Sequence, residues 1–174
     1  MDERALVLSC RERDPGQLES LVEMYEDPLY RFCFHLCRDV DGAAELYQDT
    51  WVKALSNLHK YKAKGSFLGW LFTIAVNLQR DKYRRRQRRE RILAECRMEL
   101  AVPNNNDADY GLKMLIQETL EKMDDSLRIP VTLFYFEDYN LDDIAEVLGI
   151  PVGTVKSRLH RAKKHLKKEL GVLL

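Results

Sequence analysis

The stretch NLDDIAEVLGIPVGTVKSRLHRA, residues 140–162, decides the fold. Asn140 is a favourable helix cap, Leu141, Ile144, Ala145 and Leu148 recur at the three-and-four spacing of one helical face, and Gly149 supplies a left-handed stop. Thr154, Val155 and Leu159 then open a second helix. Two short helices joined by a tight turn, with small Ala145 where they cross and Val155 as an anchor, make a helix-turn-helix pattern. Thr154, Lys156, Ser157, Arg158 and Arg161 are left to face outward. In a major groove such cations donate to guanine edges and phosphates, with Arg158 and Arg161 the candidate base readers; Lys163, Lys164, Lys167 and Lys168 prolong the backbone contact. A solvated basic helix is the rival reading of the charge alone, and the coupling to the Ala-Gly-Val spacing weighs against it.

Working outward, the formal net charge of zero hides a segregation of sign. Arg80 to Arg91 holds eight basic residues against two acids, and Val147 to Lys168 holds seven against none. Both stretches have the character of phosphate footprints. No apolar run approaches a membrane span, and the chain starts on acidic Asp2 and Glu3, so neither a transmembrane helix nor a signal peptide is expected and the location expected is cytoplasmic. There the cysteines Cys10, Cys33, Cys37 and Cys96 would stay reduced. Cys33, His35 and Cys37 suggest a metal site, but on a helix His35 points away from the face the two thiols share, so core packing is the better reading. Nothing calls for a metal, a cofactor or catalysis.

Toward the amino terminus, Asp14-Pro15-Gly16-Gln17 reads as a helix start, followed by an apolar stripe from Leu18 to Leu36 in which Pro28 is a candidate kink. Asp41 is the expected cap of a second helix carrying Leu46, Trp51, Ala54 and Leu58 inward. A basic loop, Lys60 to Gly65, leads to Ser66 as cap of a third helix, apolar at Phe67, Leu68, Leu71 and Phe72 and arginine-rich after Asn77. Around Pro103-Asn104-Asn105-Asn106-Asp107 the periodicity lapses into turn formers, which sets a flexible linker at 96–111 between a first domain, 1–95, and a second, 112–174. Past it, Val131, Leu133, Phe134 and Phe136 form an apolar group. No strand pattern appears, so the fold class is all-α, with two small helical domains.

Pro151 to Ala162 resembles the promoter-reading helix of extracytoplasmic-function sigma factors, group IV of the sigma-70 family, and the likeness runs back to about Leu115. Leu141-Asp142 and Asp125-Ser126-Leu127 depart from the family's commoner residues. The first half is similar to the same family: Glu45 to Ala54 resembles the region-two helix that grips the clamp coiled coil of core RNA polymerase, with departures at Ala44 and Tyr47. Phe67 to Leu78, with Asp81, Tyr83 and Arg84 to Arg86, resembles the promoter-melting region.

The resemblance implies two divisions of labour. Region four, through Thr154, Lys156, Ser157, Arg158, Arg161 and Lys164, would recognise the minus-thirty-five element. Region two would recognise and melt the minus-ten element through Tyr61, Lys62, Lys64, Ser66, Trp70, Asn77, Arg80 and Arg84, and hold the polymerase through Glu45, Gln48, Asp49 and Lys53. Aromatic rings interleaved with cations suit that task, since opened bases stack on rings while cations hold the strand. The partners implied are core polymerase, at the clamp and flap of its large subunits, promoter DNA as duplex and melted strand, and an anti-sigma protein. A stand-alone helix-turn-helix regulator is the alternative; it would need a dimerisation face, which the sequence does not display.

Overall fold

The computed structural model describes residues 7, 9, 10, 15–62, 65–94, 119, 120 and 122–169. Its elements are α1 (Pro15–Cys37), α2 (Val40–Ser56), a 3-10 turn (Leu58–Lys60), α3 (Phe67–Ala94), α4 (Asp125–Tyr135), α5 (Leu141–Leu148) and α6 (Val152–Glu169). Among the described residues there is no strand, and no helix is long and apolar enough to cross a membrane. The linker expected at 96–111 lies outside the described residues.

The stripe of α1 buries Leu21, Tyr25, Leu29, Phe32, Cys33 and Leu36 against α2 and α3. Pro28 lies inside the helix, which runs on to Cys37. The cap of α2 is Asp39 rather than the expected Asp41: Asp39 is extended and its carboxylate accepts the Gly42 N–H at 2.6 Å, which leaves Asp41 in the first turn. Gly42 suits that cap, because a Cβ there would lie 2.7 Å from the Asp39 carboxylate. Ser66 caps α3 as its sequence suggests, accepting the Gly69 N–H at 3.0 Å. Phe67, Leu71, Phe72, Ala75 and Val76 face inward, and Phe72 stacks on Phe32 with centroids 4.0 Å apart. Trp51 is buried beside Phe67.

In the carboxy-terminal unit Asn140 accepts the N–H groups of Asp142 and Asp143, and Gly149 takes the left-handed conformation at φ 63°. Val155 and Ala162 are the buried points of α6, seven residues apart on one face, so the opposite face is free for basic residues. The apolar group read after Met123 divides: Val131 and Leu133 are buried, whereas Phe134 and Phe136 are exposed, with Tyr135 between them. They end α4, where Phe134 and Tyr135 meet edge to face and Phe136 lies 5.0 Å from the ring of His35. The two units share a continuous core, with Ile144, Leu148 and Val155 in the same cluster as Phe32 and Phe72. Tyr139 bridges them, its ring 5.5 Å from that of Phe72.

Candidate nucleic-acid and polymerase interfaces

The outward face of α6 presents Lys156, Ser157, Arg161 and Lys164 exposed, with Thr154 and Arg158 half-buried beside them. All six candidate readers therefore lie on one helix, and Ser157 donates its hydroxyl to the Thr154 carbonyl at 3.0 Å. Among the described residues α6 has no acid before Glu169, so its field is uniformly attractive to phosphate.

A second surface is the outer face of α2. Glu45, Gln48, Asp49 and Lys53 are exposed, together with Val52, two-thirds exposed. Between α2 and α3, Glu45, Asp49 and Lys53 line a cleft that also holds Asn77, Asp81, Lys82 and Arg85. Glu45 accepts from Lys82 at 2.6 Å, and this hydrogen bond is the main reason the ammonium is held above its ordinary pKa. Asn77 thus sits beside the α2 face, not with the other residues read as contacting the minus-ten element.

The third surface is the loop before α3. Tyr61, Lys62, Ser66 and Trp70 line one concavity with Lys60, Gly65 and Gly69. Tyr61 is mostly buried: its hydroxyl donates to the Gly65 carbonyl at 2.7 Å and its ring meets Phe67 and Trp70 at 5.3 Å, so it shapes the floor. Lys64 lies outside the described residues. The opposite wall comes from the other unit, through Tyr139, Asp143, Glu146 and Val147. Asp143 and Glu146 thereby share the concavity with basic Lys60 and Lys62, a pairing across the two units that no local sequence pattern displays.

Arg80 and Arg84 fall in a groove at the seam with Arg158 of α6. Burial is the largest cause, ahead of Arg158 and Arg84, holding Arg80 below its ordinary pKa, and its Nη1 donates to the Leu148 carbonyl at 3.2 Å. The thiols read as core packing are suppressed by burial: Cys33 is pushed up to about 12 and Cys37 up to about 11, so neither is a ready nucleophile. Among the described residues no group of three His, Cys, Asp or Glu is placed to hold a metal ion.

Residues 21–89 match the family described as Sigma-70 region 2 and residues 113–166 match Sigma-70, region 4. The ECF RNA polymerase sigma factor SigW of Bacillus subtilis is 28% identical, with 94% of each chain covered. The ECF RNA polymerase sigma factor SigE of Mycolicibacterium smegmatis is 32% identical over 88% of this chain and 61% of its own length. Among solved structures, the sigma factor RpoE in complex with the anti-sigma factor NepR from Bartonella quintana superposes with a TM-score of 0.73 at 25% identity, over 90% of this chain and 98% of that one.

Proposed function

Because the chain belongs to the sigma-70 family, as an ECF RNA polymerase sigma factor, we propose that α6 reads the minus-thirty-five element while the loop before α3 receives the opened minus-ten strand and α2 docks on the polymerase clamp. The protein is a transcription initiation factor: it binds core RNA polymerase, directs it to promoters and catalyses nothing itself. In this reading Thr154, Lys156, Ser157, Arg158, Arg161 and Lys164 contact duplex DNA. Lys62, Lys64, Ser66 and Trp70 hold a base drawn from the opened strand over the floor made by Tyr61, with Asn77, Arg80 and Arg84 along its path. Stacking is worth roughly 1–3 kcal/mol per base, so a few captured bases offset the cost of opening. Glu45, Gln48, Asp49 and Lys53 meet the clamp coiled coil, and the domains 1–95 and 112–174 are spaced by the tether 96–111.

One observation carries the reading: a helix-turn-helix with a basic outer face shares its chain with an aromatic and basic unit that has its own exposed polar helix. A stand-alone regulator has no use for that unit, and both sigma regions are matched. RpoE, solved with the anti-sigma factor NepR, supports an anti-sigma partner for this chain too. Its place of action is the cytoplasm, where the polymerase is.

The test is binding of the purified chain to sigma-free bacterial polymerase, then transcription from pooled genomic promoter fragments. Tight binding with a selective set of transcripts is expected. Asp49→Arg should abolish polymerase binding while duplex DNA is still bound; undiminished polymerase affinity in that variant would remove α2 from the interface.

A further inference from the structure

A groove of about 780 Å³ runs between the end of α1, the middle of α3, the start of α4 and the turn from α5 to α6. That is within the range of cavities that hold small ligands, about 300–1,000 Å³. Its lining is dominated by one sign of charge: Arg38, Arg80, Arg84, Arg128 and Arg158 against Asp124 and Asp125. Both acids are already engaged. Asp125 is shared by Arg38 at 3.3 Å and Arg128 at 2.6 Å. Asp124 caps α4, accepting the Ser126 N–H at 2.8 Å, and Arg158 is only a lesser cause of its lowered pKa, behind Ser126. Arg128, 4% exposed, commits its Nη donors to the His35 and Leu36 carbonyls at the end of α1 as well as to Asp125.

Arg80, Arg84 and Arg158 are left without a strong counter-charge. Arg80 and Arg84 stand one turn apart on α3, and Arg158 comes to them from α6. Among the described residues no carboxylate lies within ion-pair distance of Arg80 or Arg158, and Arg84 has the exposed Asp81 at 3.9 Å. An exposed pair of that length contributes little. Burial, then Arg158 and Arg84, holds Arg80 below its ordinary pKa, so the three charges feel one another. The turn leaves space beside them: nothing lies within 4 Å of where a Cβ on Gly149 would stand. Like charges gathered in a partly dry groove repel, and an anion placed between them turns that repulsion into attraction. A guanidinium fork meets two phosphate oxygens at once, and forks from two helices suit a chain of phosphates better than a single carboxylate.

We propose that Arg80, Arg84 and Arg158 form a binding site for a small polyphosphate, free or carried by a nucleotide, beyond the promoter contacts proposed for them above. The site stands on the groove alone: its loss would leave the sigma-factor reading intact, and a chain that failed to bind polymerase would still fill it. The test is calorimetric titration of the full chain with inorganic triphosphate and, separately, with ATP, at about 0.15 M salt, where diffuse attraction is screened. Saturable binding of one triphosphate per chain is expected. Arg84→Met and Arg158→Met should each weaken it at least about fivefold with helical content unchanged, because each removes a fork as well as a charge. Arg88→Met, which removes the same charge from an exposed position one turn further along α3, should weaken it less than about twofold. ATP bound more tightly than triphosphate assigns the site to nucleotides, and the reverse order assigns it to free polyphosphate. Absence of saturable binding by either would overturn the proposal, as would equal losses in all three variants, the mark of charge without a site. A short duplex titrated alongside covers the remaining source of phosphate: a duplex weakened by Arg84→Met and Arg158→Met, with triphosphate bound by none of the chains, would give these arginines to the DNA backbone alone and sink the site.

Discussion

Where α1, α2 and α3 fill their interior with Phe32, Phe67 and Phe72, the helix-turn-helix unit fills its own with Leu133, Ile144 and Val155 and leaves Phe134, Tyr135 and Phe136 outside. Ring stacking and large apolar area let the first unit hold itself together. The second is close to the size below which a core supports itself poorly, and it leans on the first through Tyr139 on Phe72, Arg128 on the end of α1 and the Leu148 carbonyl on Arg80. The difference teaches that the unit with the thinner core offers its basic outer helix, while the unit rich in buried rings carries the aromatic and basic loop before α3.

The comparison breaks most readily at Phe72, fully buried between Phe32 and the bridging Tyr139. Phe72→Ala should cost about 3–5 kcal/mol in denaturant unfolding, and hydrogen exchange should quicken in α5 as well as α3, because the lost ring belongs to both cores. Protection of α5 left untouched would mean that the second unit does not lean on the first. A smaller effect is expected at Arg161, exposed on α6. Arg161→Ala should weaken promoter DNA binding by about 1–3 kcal/mol with polymerase affinity unchanged; equal loss of both in the two assays would erase the division between the units. At Asn140, whose side chain accepts two N–H groups of α5, removal of the cap should cost about 1 kcal/mol. Exchange in Asn140→Ala should rise in α5 alone, and a matching rise in α1 would show that the units melt as one.

Much of this was legible in the residues. Periodicity and caps identified α1, α2, α3, α5 and α6, because the stripe of α1, the cap at Ser66 and the pair Asn140 and Gly149 are local events that no distant contact has to arrange; α4, capped by Asp124, was legible only as an apolar group. The cap of α2 was read two residues late, since Asp39 and Asp41 are chemically alike and only the backbone shows which one is extended. Candidate site residues could be named from the sequence, but their grouping could not. Asn77 joins the α2 cleft, Tyr61 goes to the floor, and Arg80 meets Arg158 across the seam, because helical phase and the packing of two units decide direction. Arg128 escaped notice although it interrupts the apolar run Leu127 to Leu133, where a buried cation needs a partner that lies 92 residues away at Leu36.

The gentlest probe of the seam is pH. Glu137, just beyond α4, is pushed up to about 7, first by burial, with Arg31 of α1 opposing and Asp138 adding to the shift. Across the window from its ordinary 4.5 to about 7 the folded chain keeps a proton that the unfolded chain has released. Stability from this group is therefore complete below the lower value and is lost as pH rises through the upper one. His35, packed on Phe136 with rings 5.0 Å apart, has the opposite sign: burial, then Arg128 and Arg31, holds it below its ordinary 6.5, so it costs stability as pH falls. Up to about pH 7.5 the unfolded His35 still holds part of its proton and pulls the slope the other way, so the share of Glu137 is the difference between the parent chain and Glu137→Gln. Unfolding midpoints measured between about pH 6.5 and about pH 8 should decline for the parent chain relative to Glu137→Gln. A parallel decline in both would place the titrating group elsewhere and leave the two units joined by contacts indifferent to this proton.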